Sequence, residues 1–159
     1  MMKNNGVNMT TKRLSKVGSC LLISALFFSS SHAEAERGDL HLRLTGFLSD
    51  HGSVKIILVK SRLQFEMHEN GEVPLLSETV RVLEQQAEHL FRDLPFGDYA
   101  VKVFHDENGN GQLDLNPMGV PLERFGFSNN ARLMIGQPDY DAARFMFDAQ
   151  SKEIQIELK

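Results

Sequence analysis

The chain has 159 residues, with 17 Lys and Arg against 21 Asp and Glu, one cysteine and no tryptophan. A single cysteine excludes an internal disulfide. The acidic balance argues against nucleic acid and anionic membrane surfaces as partners, because both are recognised by neutralising phosphates.

Lys12, Arg13 and Lys16 form a basic segment, residues 17–28 an apolar run, and residues 29–33 a stretch of small residues. No acidic residue precedes Glu34. That order predicts a secretory signal peptide over residues 1–33, cleaved after Ala33 or, using Ala33-Glu34-Ala35, after Ala35. The apolar run is too short to span a bilayer. Cys20 precedes this run instead of following it, which argues against lipidation. Cleavage removes four basic residues and no acidic one, leaving thirteen basic against twenty-one acidic side chains. The expected product is a single periplasmic or secreted domain, residues 34–159, with no membrane span.

Strand signals dominate that domain. Leu40, Leu42 and Leu44 alternate with polar residues, as in a half-buried strand. Residues 49–52 carry turn chemistry, and 54–59 read as a more fully buried strand. Residues 61–78 read as a loop with one short strand, because Leu63, Phe65 and Met67 alternate before Asn70-Gly71 and Pro74 interrupt them. Residues 79–83 and 87–91 are strand-like, and Leu94-Pro95-Phe96-Gly97 suits a turn. Residues 99–105 form the clearest central strand, with Tyr99, Val101 and Val103 on one face and Ala100, Lys102 and Phe104 on the other. The last two strands are expected over 143–147 and 153–158. No window carries a sustained helical period. The fold class implied is all-β, a single sandwich.

Residues 106–138 interrupt this rhythm with one long irregular loop. Loops of that length in a compact domain are functional, organised by something or disordered. Phe125, Phe127, Leu133, Met134 and Ile135 are too apolar for a solvated coil. An organiser stands at the start of the loop, in Asp106-Glu107-Asn108-Gly109-Asn110-Gly111-Gln112-Leu113-Asp114. Oxygen-bearing side chains occupy its first, third, fifth and ninth positions, and glycine its sixth, the pattern of a calcium loop. The expected ligands are Asp106, Asn108, Asn110, the Gln112 carbonyl and Asp114. Pro117 stands where a helix–loop–helix site places its last carboxylate, so Glu123 is the expected completion, with Asp139 and Asp141 as reserves. Few full charges predict weak calcium affinity, about 10⁻⁴–10⁻³ M. Magnesium fits less well. The scattered histidines (His41, His51, His68, His89 and His105) argue against a transition metal, and His105 reads as a hydrogen-bonded residue at the core edge.

Three motifs occur in order. They are Leu94-Pro95-x-Gly97-x-Tyr99-Ala100-Val101, His105-Asp106-x-Asn108-x-Asn110-Gly111-x-x-Asp114, and Gly119-x-Pro121-x-Glu123-x-Phe125-Gly126-Phe127-Ser128-Asn129. Together they resemble an uncharacterised family of small exported bacterial proteins, a domain of unknown function. The resemblance implies an immunoglobulin-like or prealbumin-like sandwich and carries no activity with it. The segment from Phe91 to Tyr99 is also similar to accessory β-sandwich modules beside secreted enzymes, where it enters a central strand.

The expected role is a calcium-ordered binding module without catalytic activity. Its pre-formed loop would present Arg124, Phe127, Asn129 and Asn130, with Phe125 and Arg132, to a protein or carbohydrate ligand. One alternative is a structural envelope or assembly component joined through an exposed edge strand. Another is a hydrolase pairing Glu123 with Asp139 or Asp141.

Overall fold

The computed structural model describes residues 36–66, 74–133 and 136–159. The expected signal peptide and its cleavage positions lie outside the described residues. Eight strands run in chain order: β1 (Arg37–Thr45), β2 (Ser53–Val59), β3 (Leu76–Arg81), β4 (Ala87–Pro95), β5 (Gly97–Asp106), β6 (Phe125–Phe127), β7 (Phe145–Phe147) and β8 (Ser151–Glu157). Two short helices join them, α1 (Arg62–Glu66) and α2 (Tyr140–Ala143). No described helix is long and apolar enough to cross a membrane.

The strands form two sheets, and the fold is an all-β sandwich. One sheet has the order β4-β1-β8, with β1 antiparallel to β4 and parallel to β8. The other has the order β3-β2-β5-β6, and β7 pairs with the start of β5. Period-two alternation builds the core between them. Leu40, Leu42 and Leu44 of β1 face Val54, Ile56 and Leu58 of β2 and Tyr99, Val101 and Val103 of β5. Ile156 and Leu158 close the core from the last strand's end, as their alternation predicts.

The second sheet is apolar on both faces, which is why residues 54–59 show little alternation in sequence. Its outer face carries a smaller cluster of Val59, Phe65, Ala100, Phe127, Tyr140 and Ala143. Both helices pack there. The expected loop with one short strand over 61–78 is partly corrected: residues 62–66 form α1, and among the described residues of this stretch the strand is the start of β3 at Leu76. A single helical turn with one buried residue, Phe65, is too short to display a 3.6-residue period. Ser61 Oγ accepts the Gln64 N–H at 3.2 Å and starts that turn.

Two corners fix how the chain passes between sheets. Glu84 and Gln85 both have positive φ, 52° and 58°, within the tight reversal bridged by Leu83 and Gln86. Asp50 supports this costly geometry by accepting both of their N–H groups, at 3.0 and 2.6 Å. At the other corner the chain reverses around Phe96, and the buried Tyr99 hydroxyl donates to the Pro95 carbonyl at 2.6 Å. This places a tyrosine corner at the entrance to β5.

Residues 106–138 are less irregular than their composition suggests. Phe125–Phe127 is a short strand beside β5, and residues 128–130 form a 3₁₀ turn. Three residues cannot show alternation, so this edge strand is invisible to a periodicity argument. Gly126 is required in it, because a Cβ there would lie 2.8 Å from Ile156 Cγ2.

Candidate metal centre

Strand β5 delivers Asp106 to the rim of the second sheet, where the register pairs it with Ser53. Its side chain is 1% exposed. Oδ2 accepts the Gly111 N–H at 2.9 Å and lies 3.9 Å from Lys55 Nζ. Oδ1 is buried with no hydrogen-bond partner among the described residues. A buried carboxylate oxygen left without a donor or cation costs about 1–3 kcal/mol.

The following residues wind inward by local hydrogen bonds. Asn108 Oδ1 accepts the Asn110 N–H at 2.9 Å, and Asn110 Oδ1 accepts the Gln112 N–H at 2.7 Å. These are two successive Asx turns, the reason asparagine suits both positions. Gly109 and Gly111 take φ of 74° and 78°, which a side chain would resist. Both amide groups then reach Asp114. Asn108 Nδ2 donates to its Oδ2 at 2.6 Å, and Asn110 Nδ2 donates to its Oδ1 at 2.9 Å. The loop therefore brings Asn108, Asn110 and Asp114 into one hydrogen-bonded group, with Asp106 tied to it through Gly111.

Glu123 holds this loop shut. Its Oε1 accepts the Glu107 N–H and its Oε2 the Asp114 N–H, each at 3.0 Å. Both oxygens are thus engaged by backbone across the loop's base, a fastening task that its spacing from Asp106 does not reveal. The backbone adds a bond from Leu122 N–H to the Asp114 carbonyl at 2.8 Å. Gln112 is exposed, and Leu113 is half-buried against the outer face of the second sheet. No group of three or more His, Cys, Asp or Glu converges among the described residues. The donor set here consists of two aspartates, two side-chain amides and backbone oxygen, which is hard-oxygen chemistry suited to calcium and unsuited to softer metals. His105 is buried beside the loop, its Nε2 2.7 Å from the His51 carbonyl and its Nδ1 3.2 Å from Glu107 Oε1.

The residues expected to face a ligand hold the fold together. Phe127 is buried in the outer cluster. Asn129 Nδ2 donates to the Ala142 and Arg144 carbonyls at 3.2 and 2.8 Å, tying the 3₁₀ turn to α2. Asn130 Oδ1 accepts the Glu157 N–H at 2.8 Å, and Arg124 Nη1 reaches the Leu158 carbonyl at 3.3 Å. These contacts cover the outer edge of β8 near its end. Asp141, a candidate acid of the hydrolase alternative, is held by Arg62 at 2.5 Å.

A cleft lies between the loop and the outer face of the second sheet. Its inner part, ≈ 700 Å³, is bounded by Ile57, Lys102 and Phe104 on one side and residues 111–113 and Leu115 on the other. A neighbouring part of ≈ 520 Å³ shares Leu113, Leu115, Phe125 and Phe127 and extends past Met118, Val120 and Leu133. Lys102 is 7% exposed and donates from Nζ to the Phe65 carbonyl at 2.9 Å. Burial pushes its pKa down to about 8. In sequence its signal is a lysine in the middle of an otherwise apolar strand.

No curated protein and no solved structure matches the chain. One family model does, over residues 42–155, which run from the middle of β1 almost to the end of β8. With most of its length matched, the chain belongs to DUF2141, the family described as an uncharacterized protein conserved in bacteria.

Proposed function

We propose that the protein is an exported binding module whose β5–β6 loop is ordered by calcium. The observation that carries this reading is Asp106. One carboxylate oxygen fastens the sixth residue of the loop through Gly111, and the other is buried and without a hydrogen-bond partner among the described residues. That is the division of labour expected of the first ligand in a calcium loop, where one oxygen shapes the turn and the other meets the ion. Asn108, Asn110 and Asp114 would supply further oxygens, and Gln112 a carbonyl. Glu123 closes the loop in this reading and needs no direct bond to the ion.

The chemistry supplied is structural. Calcium adds rigidity to a segment with few apolar anchors, and the ordered segment forms one wall of a cleft. A catalytic role has less support, since Glu123 and Asp141 are each engaged elsewhere. Within the sandwich class we read the fold as immunoglobulin-like or prealbumin-like, on the strength of the tyrosine corner and of β1 and β4 lying in one sheet while β2, β3 and β5 lie in the other. A periplasmic or secreted location follows from the N-terminal sequence pattern alone.

The test is thermal unfolding of the purified protein in calcium, in magnesium and in chelator. Calcium is expected to raise the melting temperature, with magnesium raising it less. Coincident melts across millimolar calcium would remove the ion from this account.

A further inference from the structure

The cleft under the loop is walled mainly by apolar side chains. Ile57, Phe104, Phe125 and Phe127 form the sheet side, and Leu113 and Leu115 the loop side. Among the described lining residues no Asp or Glu is present, and Lys102 is the one basic side chain. Lys102 is already engaged, since its Nζ donates to the Phe65 carbonyl and stands 5.3 Å from the centre of the Phe65 ring. The space therefore offers an entering group no uncommitted charge. At its mouth Leu115, Met118, Val120 and Leu133 are each at least half exposed. Exposed apolar surface gathered in this way marks a binding groove. Each part of the cleft falls within the ~300–1,000 Å³ usual for small-molecule sites.

We infer that the cleft takes up an uncharged single-chain amphiphile, a long-chain alcohol or a neutral acyl ester, with the hydrocarbon chain between the two walls. Electrostatic match selects this class. A charged head group drawn inside would lose its hydration and find no free counter-charge, whereas a hydrocarbon chain gains by leaving water. Each methylene buried adds to the affinity until the space is filled, and the polar end stays hydrated at the mouth. The inference goes beyond the calcium reading and stands without it, because the Asx turns and Glu123 hold the loop side in place by themselves.

Two other occupants fit less well. A peptide would bring backbone N–H and C=O groups between apolar walls, where unmet polar groups are costly. An anionic amphiphile would meet an acidic domain on its approach and an unmatched charge on entry.

The experiment titrates the purified protein with N-phenyl-1-naphthylamine, a neutral probe that fluoresces in apolar surroundings. The probe is then displaced with octanol, decanol, dodecanol and dodecanoate, each kept monomeric, in calcium and in chelator. Saturable binding is expected, with affinity rising about tenfold for each pair of added methylenes. Dodecanoate should bind at least about tenfold more weakly than dodecanol. Leu115→Asp and Leu133→Asp, at exposed positions of the mouth, should each weaken dodecanol about tenfold or more. Met146→Asp, exposed on β7 and outside the lining, should leave it unchanged. Equal affinity of dodecanoate and dodecanol, affinity independent of chain length, or unsaturable probe uptake overturns the inference. So does a dimer in light scattering that Leu115→Asp dissociates, because a second copy then covers the mouth. A calcium-dependent melt in a protein that does not bind the probe overturns the inference and leaves the calcium reading standing. Displaceable probe binding without a calcium-dependent melt supports the cleft and overturns the ion.

Discussion

Replacing Asp106 with asparagine separates the shape of the loop from its charge. Asparagine keeps an oxygen for the Gly111 N–H, at 2.9 Å in the native loop, and puts a neutral group where the unpartnered oxygen lies. In chelator two effects oppose each other. Relief of a buried, unmet carboxylate oxygen is worth about 1–3 kcal/mol, while loss of charge weakens the Gly111 bond and the approach of Lys55 by a similar amount. The variant should therefore melt within a few degrees of the wild type. In calcium the two proteins should part. With a dissociation constant of ~10⁻⁴–10⁻³ M, about ten millimolar calcium adds roughly 1.4–2.7 kcal/mol to the wild type. For a domain of this size that is a rise of about 4–14 °C, and Asp106→Asn should lose most of it. Circular dichroism melts of both proteins, in calcium and in chelator, read the result directly. An equal calcium response in the two proteins would refute the assignment of Asp106. A large loss of stability in chelator would show instead that its charge is already compensated by the protein, with Lys55 the nearest cation.

Two further outcomes follow from buried polar groups. Tyr99→Phe removes the donor to the Pro95 carbonyl and should lower stability by about 1–2 kcal/mol in a urea titration, with no change in calcium response. Lys102 gives a pH signature. Its pKa falls from 10.5 to about 8 on folding, so between these values the unfolded chain holds more protons. Stability should accordingly rise as pH increases from about 8 to 10.5, and Lys102→Met should abolish that rise.

Much of the sandwich is legible in residue order. The alternation at Leu40, Leu42 and Leu44 and the two-faced strand at Tyr99–Val103 each correspond to a strand with the expected residues inside. What escapes is short or held by distant partners. α1 has a single buried residue, β6 is three residues long, and the corner at Glu84 and Gln85 lacks the glycine or asparagine that announces a tight reversal. Asp50, more than thirty residues away in sequence, stabilises that corner instead. The loop is legible in part for the same reason. The spacing of Asp106, Asn108, Asn110 and Asp114 follows from local turns and can be read directly. The fastening role of Glu123, the structural work of Asn129 and Asn130, and the cleft depend on where β6, α2 and β8 come to lie.

The cleft wall and the candidate metal loop are the same stretch of chain, so the order of one is the order of the other. Residues 111–113 bound the cleft on the face turned toward the second sheet, while Gly111 and Gln112 take part in the hydrogen bonding that shapes the loop. The Asx turns, the Asp114 contacts and Glu123 already give the wall most of its form without calcium. The ion therefore has only the remaining mobility of the wall to remove. Amide hydrogen exchange over residues 107–114, followed in calcium and in chelator, measures that share. Protection at these amides is expected to rise in calcium while that of β1 and β2 stays the same. Equal exchange in the two conditions would mean that the loop's own hydrogen bonds complete the wall without an ion.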